Sequence, residues 1–236
     1  MAQDRGLVVI TGASRGIGRA LARRFEEAGH PVLAVARSPA DGEGAVAADL
    51  ASQDGMAAVV AAVRARGVPV EVLINNAGMQ AALDLTAPEA EREAETVAAE
   101  IALNLAAPIL LVRALLPLMR QPGATIVNVT SLVSRHPKPS APVYSASKAG
   151  LASFTASLRR QLAPQGIRVM EAVPPLVDTA MTEGRGRGKI SPEAMAEAIF
   201  EGVAEGRALV APGIARRVLV LNRVLPELVR RILSRS

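Results

Sequence analysis

The chain has 236 residues, half of them hydrophobic, enough for one domain to bury a sizeable core without staples. It has no cysteine and two histidines far apart, His30 and His136, which excludes disulfides, thiol catalysis, thiolate metal sites and a histidine-rich metal centre. The net charge of +5 is local: residues 207–236 carry seven arginines against one glutamate, +6, and residues 1–206 carry 20 basic against 21 acidic residues, −1.

Apolar runs and helical patterns alternate along the chain. Leu7–Ile10 reads as a strand, Gly16–Ala28 as a helix, and Val32–Val35 as the second strand. A short apolar run follows, ended by Asp49-Leu50, and then the helix Asp54–Arg66. The fourth strand is Val70–Ile74, followed by the long helix Ala94–Met119. Thr125–Val129 is the fifth strand, Tyr144–Leu162 a helix, Ile167–Ala172 a strand, Pro192–Val203 a helix and Ala208–Val210 the last strand. Such alternation implies βαβ units. The fold expected is a Rossmann-type, doubly wound, seven-stranded parallel sheet with helices on both faces, in a single domain over residues 1–236.

Two segments stand apart. Thr182–Lys189 holds three glycines and three cations in eight residues and reads as a mobile loop, a lid over the substrate. Residues 214–236 form a basic amphipathic tail: Ile214, Val218, Leu221, Leu225, Leu228 and Ile232 step at helical spacing, with Pro226 breaking or restarting the helix. The tail packs on the body or a partner subunit, or lies on an anionic membrane surface; the lack of an aromatic anchor favours packing. No signal segment and no charge-free run of 18 apolar residues is evident, so no spanning helix is expected and the chain is placed in the cytoplasm. With no tryptophan, one tyrosine and three phenylalanines, base stacking on nucleic acid is not expected.

The first strand runs into Thr11-Gly12-Ala13-Ser14-Arg15-Gly16-Ile17-Gly18 and then a helix. Glycines allow a tight turn and close backbone approach, and the helix N-terminus offers free N–H groups to a pyrophosphate. An ordinary βα turn needing glycine for its backbone angles would look the same. At the end of the second strand, where a carboxylate would bind the ribose hydroxyls of NAD, stand Ala36-Arg37-Ser38. Arg37, with Arg15 in reach, suits a 2′-phosphate, so the cofactor expected is NADP(H).

Tyr144 and Lys148 form Y-x-x-x-K, one helical turn apart on one face. An ammonium beside a phenol stabilises the phenolate, which makes the tyrosine a usable general acid and base for carbonyl–alcohol interconversion. Ser131, at the end of the fifth strand, can hydrogen-bond the substrate oxygen.

These motifs, in this order, resemble the short-chain dehydrogenase/reductase family over residues 5 to 205. The resemblance implies further roles. Asp49 and Leu50 hold the adenine, and Asn76, Ala77 and Gly78 of the N-N-A-G run close around the adenosine. Asn104 holds a water in the proton relay and completes a tetrad with Ser131, Tyr144 and Lys148. Lys148 also bonds the nicotinamide ribose, and Pro174, Val177 and Thr179 hold the carboxamide. Pro175 stands where the family has glycine. That proline and the basic ending resemble the DltE-like branch. The pocket residues this placement selects are Met79, Gln80, Val133, His136, Val143, Leu176 and Met181, none aromatic, which suits a small aliphatic or alicyclic substrate. Arg185, Arg187 and Lys189 either meet an acidic substrate or are solvated. Helices Ala94–Met119 and Tyr144–Leu162 pair across a two-fold axis in the family, which implies a homodimer at least. The activity implied is an NADPH-dependent carbonyl reductase, reversible as an alcohol dehydrogenase. The alternatives are an NADP(H)-binding regulator without turnover, which an intact tetrad argues against, and a membrane-surface scaffold acting through the tail.

Overall fold

Why β1 (Leu7–Thr11) is buried along its whole length follows from its place. It is an interior strand, paired on both sides, of a seven-stranded parallel sheet with helices on both faces. The computed structural model describes residues 5–38, 44–83, 90–184, 186 and 188–224. The other strands are β2 (Val32–Ala36), β3 (Ala45–Ala47), β4 (Val70–Asn75), β5 (Thr125–Val129), β6 (Arg168–Ala172) and β7 (Leu209–Val210), in the spatial order β3-β2-β1-β4-β5-β6-β7. The helices are α1 (Gly16–Glu27), α2 (Gln53–Ala65), α3 (Ala90–Ile101), α4 (Ala107–Leu115), α5 (Pro142–Leu162), α6 (Pro192–Ala204) and α7 (Ile214–Val224).

Strand periodicity sorts the core into two layers. Leu7, Val9, Leu33 and Leu73 face α2, α4 and α5 through Val59, Leu111 and Leu158. Val8, Ile10, Val72 and Ile74 face α1 and α6 through Leu21, Phe25, Met195 and Ile199. The chain winds outward from β1 to β3, then crosses to β4 and winds the other way. A crevice therefore opens where β1 and β4 end, the switch point at which such sheets bind ligands.

Element boundaries differ from expectation in one informative place. The helix expected over Ala94–Met119 is a composite: α3, a π-helical turn at Ala102–Ala106, α4, and a 3-10 turn at Leu116–Leu118. By length and composition the run Ala94–Leu118 could cross a bilayer, contrary to the expectation that none would. In this fold its apolar character has another use: Ala107, Leu111, Val112 and Leu115 pack into the core. α5 starts two residues earlier than expected, with Pro142 in its first turn, where the missing N–H costs nothing. α7 realises the first part of the tail. Its Ala215 is buried, while Ile214, Val220 and Leu221 are exposed. Leu225, Pro226, Leu228 and Ile232 lie outside the described residues.

Candidate active site

The turn between β1 and α1 is shaped by backbone proximity. Gly12 and Gly16 adopt φ of 68° and 54°, which side chains resist. A Cβ on Gly12 would lie 2.8 Å from the Cα of Ala77, and one on Gly18 would lie 2.1 Å from the Gly12 carbonyl oxygen. Gly18 is thus a packing glycine beneath the turn. α1 begins with no side-chain cap and no acidic residue in its first turn. Its free N–H groups and positive dipole end are left for an anion, so the residues present fit a pyrophosphate.

Thr11 and Asn76 lock this turn to β4. The Thr11 hydroxyl accepts from the backbone N–H of Asn76 at 2.9 Å and of Ala77 at 3.0 Å. The Asn76 amide donates to the Thr11 carbonyl at 2.9 Å. One strand over, the Asn75 amide donates to Asn128 at 2.8 Å, and the Asn128 amide to the Thr155 hydroxyl of α5 at 2.9 Å. Asn75 and Asn128 are register partners on β4 and β5. This buried chain fixes α5, and with it Tyr144 and Lys148, against the sheet.

A cavity of about 1050 Å³ runs along the crevice. At one end it is lined by Gly12, Ser14, Arg15, Gly16 and Ile17 of the turn, by Arg37 and Ser38, and by Leu50. Arg15, Arg37 and Ser38 are exposed. Asn76, Ala77 and Gly78 form its middle. At the far end stand Ser131, Tyr144 and Lys148, and Gln80, Val133, His136, Leu176, Met181, Pro174, Val177 and Thr179 complete the lining.

Five of the expected residues do not line the cavity: Gly18, Asp49, Met79, Asn104 and Val143. Asp49 is exposed and accepts from the Ala51 N–H at 3.0 Å, a turn contact before α2. Asn104 sits in the π-helical turn and is fully buried. Its amide oxygen accepts from the Met79 N–H at 2.9 Å, and its nitrogen donates to the Met79 carbonyl at 2.8 Å and the Ser147 hydroxyl at 3.2 Å. The side chain braces the loop after β4 against α5.

Lys148 is buried, and its Nζ donates to the Val129 carbonyl at 2.8 Å. The same ammonium lies 5.8 Å from the centre of the Tyr144 ring, one helical turn back. Burial pulls the lysine down to about 8, against the opposing pull of the Glu100 carboxylate. Ser131 caps the 3-10 turn Leu132–Ser134, accepting from the Val133 N–H at 3.4 Å. The loop it opens is clamped from below. Arg135 makes a bidentate pair with Glu171 of β6 at 2.8 and 2.7 Å, and the Thr130 hydroxyl donates to the same carboxylate at 2.7 Å. His136 is buried, held below its usual range by burial and then by Arg135.

Thr179 caps the turn Ala180–Thr182, and its methyl would touch a Cβ placed on Gly16, so this loop lies over the phosphate turn. Lys189 is tied to the Thr182 carbonyl at 2.8 Å and to Asp178 at 3.2 Å, so it closes the base of its own loop. Arg185 and Arg187 lie outside the described residues.

Several functional positions escaped the sequence reading. Leu103, Lys138, Ile214 and Val218 also line the cavity. Asn128 had a signal, a polar residue inside an apolar strand. The Arg135–Glu171 pair had none, because its partners lie 36 residues apart.

The profile of the short chain dehydrogenase family matches residues 6–189, and the chain belongs to that family. Among its relatives, the uncharacterized oxidoreductase DltE of Bacillus subtilis is 35% identical over 224 residues, 88% of each chain. A short chain dehydrogenase from Burkholderia cenocepacia, solved in complex with NADP, superposes with a TM-score of 0.85 at 27% identity, covering 99% of both chains. A short-chain dehydrogenase from Sphingobium yanoikuyae, in complex with NADPH, superposes at 0.77 with 27% identity over 94% of both. The chain is thus an oxidoreductase of this family.

Proposed function

We propose that this chain is an NADPH-dependent carbonyl reductase, running in reverse as an alcohol dehydrogenase, on a small aliphatic or alicyclic substrate. The observation that carries the reading is one cavity joining the phosphate turn and Arg37 at one end to Ser131, Tyr144 and Lys148 at the other. Solved relatives that hold NADP and NADPH support the choice of cofactor.

In this reading the turn amides hold the pyrophosphate, and Arg15 and Arg37 pair with the 2′-phosphate. Lys148 holds the nicotinamide ribose, and Val177 and Thr179 the carboxamide. When bound, the nicotinamide supplies or takes the hydride at the carbonyl carbon. The chain's own residues manage the oxygen. Ser131 donates a hydrogen bond to it, and Tyr144 delivers the proton. The Lys148 ammonium stabilises the phenolate left behind. Asn104 keeps α5 and the loop after β4 in register for this. Val133, Leu176 and Met181 give the substrate an apolar surround.

The protein acts in the cytoplasm as a homodimer, with residues 182–189 as a substrate lid. NADPH oxidation against a panel of aldehydes, ketones and quinones tests the reading. Turnover of at least one carbonyl, lost in Tyr144→Phe with NADPH binding intact, is the expected result. NADPH binding without turnover of any member would instead favour a regulatory role.

A further inference from the structure

Among the described residues, the charged side chains that line the cavity are Arg15, Arg37, Lys138 and Lys148, and no aspartate or glutamate joins them. A cleft lined by one sign of charge raises the local concentration of the opposite sign. In the reductase reading Arg15 and Arg37 meet the cofactor's 2′-phosphate, and Lys148 meets the phenolate and the nicotinamide ribose. Lys138 has no task in that reading. Lys189, the described cation of the substrate loop, is tied to Asp178 and to a carbonyl of that loop. Burial favours the neutral form of His136.

The backbone of Lys138 is held beside the catalytic helix. It lies between Ser131 and Tyr144 in sequence, in the stretch that leads from β5 into α5. Its N–H donates to the Ser145 hydroxyl at 3.0 Å, and that hydroxyl donates to the Ala141 carbonyl at 2.9 Å. The Ala141 N–H donates back to the Lys138 carbonyl at 3.0 Å. Ser145 is buried, so this clip is sheltered from water, and it fastens Lys138 to the residue next to Tyr144. Lys138 itself is partly buried, and among the described residues no carboxylate pairs with it. Val133, Leu176, Met181, Ile214 and Val218 give the same cavity apolar surface. An anion brought against such surface needs a partner, and Lys138 is the lining cation not otherwise engaged.

We propose that Lys138 is a specificity-determining residue, and that the substrate is a short carbonyl compound carrying an anionic group, a carboxylate or a sulfonate, on an aliphatic stem. The ammonium pairs with that group, and the stem lies on the apolar lining. Hydride and proton move at the carbonyl as described above, and the anionic group keeps its charge throughout. The inference rests on the reductase reading and narrows its substrate class.

Paired probes test it: succinic semialdehyde and levulinate, each beside its methyl ester, which keeps the carbonyl and removes the charge. In the full-length wild type, kcat/KM with NADPH should be at least about ten-fold higher for the acid than for its ester. That preference should shrink as salt rises, since a partly exposed pair is screened. Neither measurement needs a variant. Lys138→Met should remove the preference through the KM of the acid, and Lys138→Arg should keep most of it. Esters turned over as well as acids, or a preference that survives Lys138→Met, would overturn the proposal and leave the reductase reading standing. A matching loss of NADPH affinity in Lys138→Met would put the lysine on the cofactor and overturn it too. No turnover of acids, esters or other neutral carbonyls sinks the reductase reading, and levulinate binding to the NADPH complex, followed by cofactor fluorescence, then decides Lys138. Binding that weakens at least about ten-fold in Lys138→Met supports the anion site. Equal binding in both proteins, or none in either, overturns it.

Discussion

Arg37 and Lys148 carry the two choices made at the residue scale: which cofactor, and how the proton is held. Arg37 is exposed where β2 ends, at the position where a carboxylate would bind the ribose hydroxyls of NAD. One charge-assisted pair is worth about 1.5–3 kcal/mol, so NADPH should bind at least about ten-fold tighter than NADH. Arg37→Asp should invert that order in a fluorescence titration, and equal dissociation constants in the wild type would refute it. Lys148 has a different signature. Buried, it titrates at about 8 in place of 10.5, a gap worth about 3 kcal/mol. Between those two values the unfolded chain binds more protons at this lysine than the folded chain does. Its contribution to stability therefore rises with pH across that window, and charging the amine below 8 removes it. The fold carries a charged lysine at neutral pH at the expense of stability, as a site built to hold a phenolate would. Urea unfolding of the wild type and of Lys148→Met at about pH 7 and about pH 10 checks this. The difference between the two proteins should move in favour of the wild type at the higher pH. Tyr144→Phe should keep cofactor affinity and lose at least about 100-fold in turnover.

Among elements, the β1–turn–α1 unit shows how a backbone contact sets function. A Cβ on Gly18 would fall 2.1 Å from the Gly12 carbonyl oxygen, a backbone atom that cannot yield without moving the turn. Gly18→Ala should cost about 1–3 kcal/mol in stability and weaken NADPH binding at least about ten-fold. Gly67→Ala is the control: its φ of 65° is strained but its surroundings are open. It should lower stability by about 1 kcal/mol and leave the cofactor alone, as melting and binding curves would show. This unit was legible in the sequence because strand, glycine turn and helix are contiguous. So were the two-layer sheet, whose strands are short apolar runs, and the Tyr144–Lys148 spacing, which is a property of one helix. What was not legible lies in tertiary contacts. The π-helical turn at Ala102–Ala106 has no periodicity of its own, and it interrupts a run that reads as continuous helix. The clamp of Arg135 on Glu171 joins a loop to a distant strand. Lys189 looked like a free cation in a flexible loop, yet it binds that loop's own carbonyl.

At the scale of the whole molecule, two surfaces remain to be covered. Ile101 and Leu110 on the α3–α4 run are 42% and 57% exposed, which suits an apolar interface with a second copy. Light scattering at micromolar concentration should find a dimer, and Leu110→Arg should weaken it; a wild-type monomer would refute the assembly. The tail poses the other question. α7 is basic and amphipathic, with Arg216 and Arg217 exposed beside Val220 and Leu221, as a helix lying on an anionic membrane would be. Yet Ala215 is buried, and Ile214 and Val218 line the cavity. A helix that supplies a pocket wall has a reason to be apolar on that face without any membrane. Removing it should expose the substrate's apolar part to water while leaving the turn and Arg37 untouched. A chain ending at Gly213 should therefore bind NADPH as the full chain does. Its KM for an apolar ketone should rise about ten-fold, the loss of about 1.4 kcal/mol of apolar contact. Neither form should co-sediment with anionic vesicles. If instead the KM is unchanged and only the full-length chain sediments with the vesicles, the helix is a membrane contact, and the pocket must close some other way.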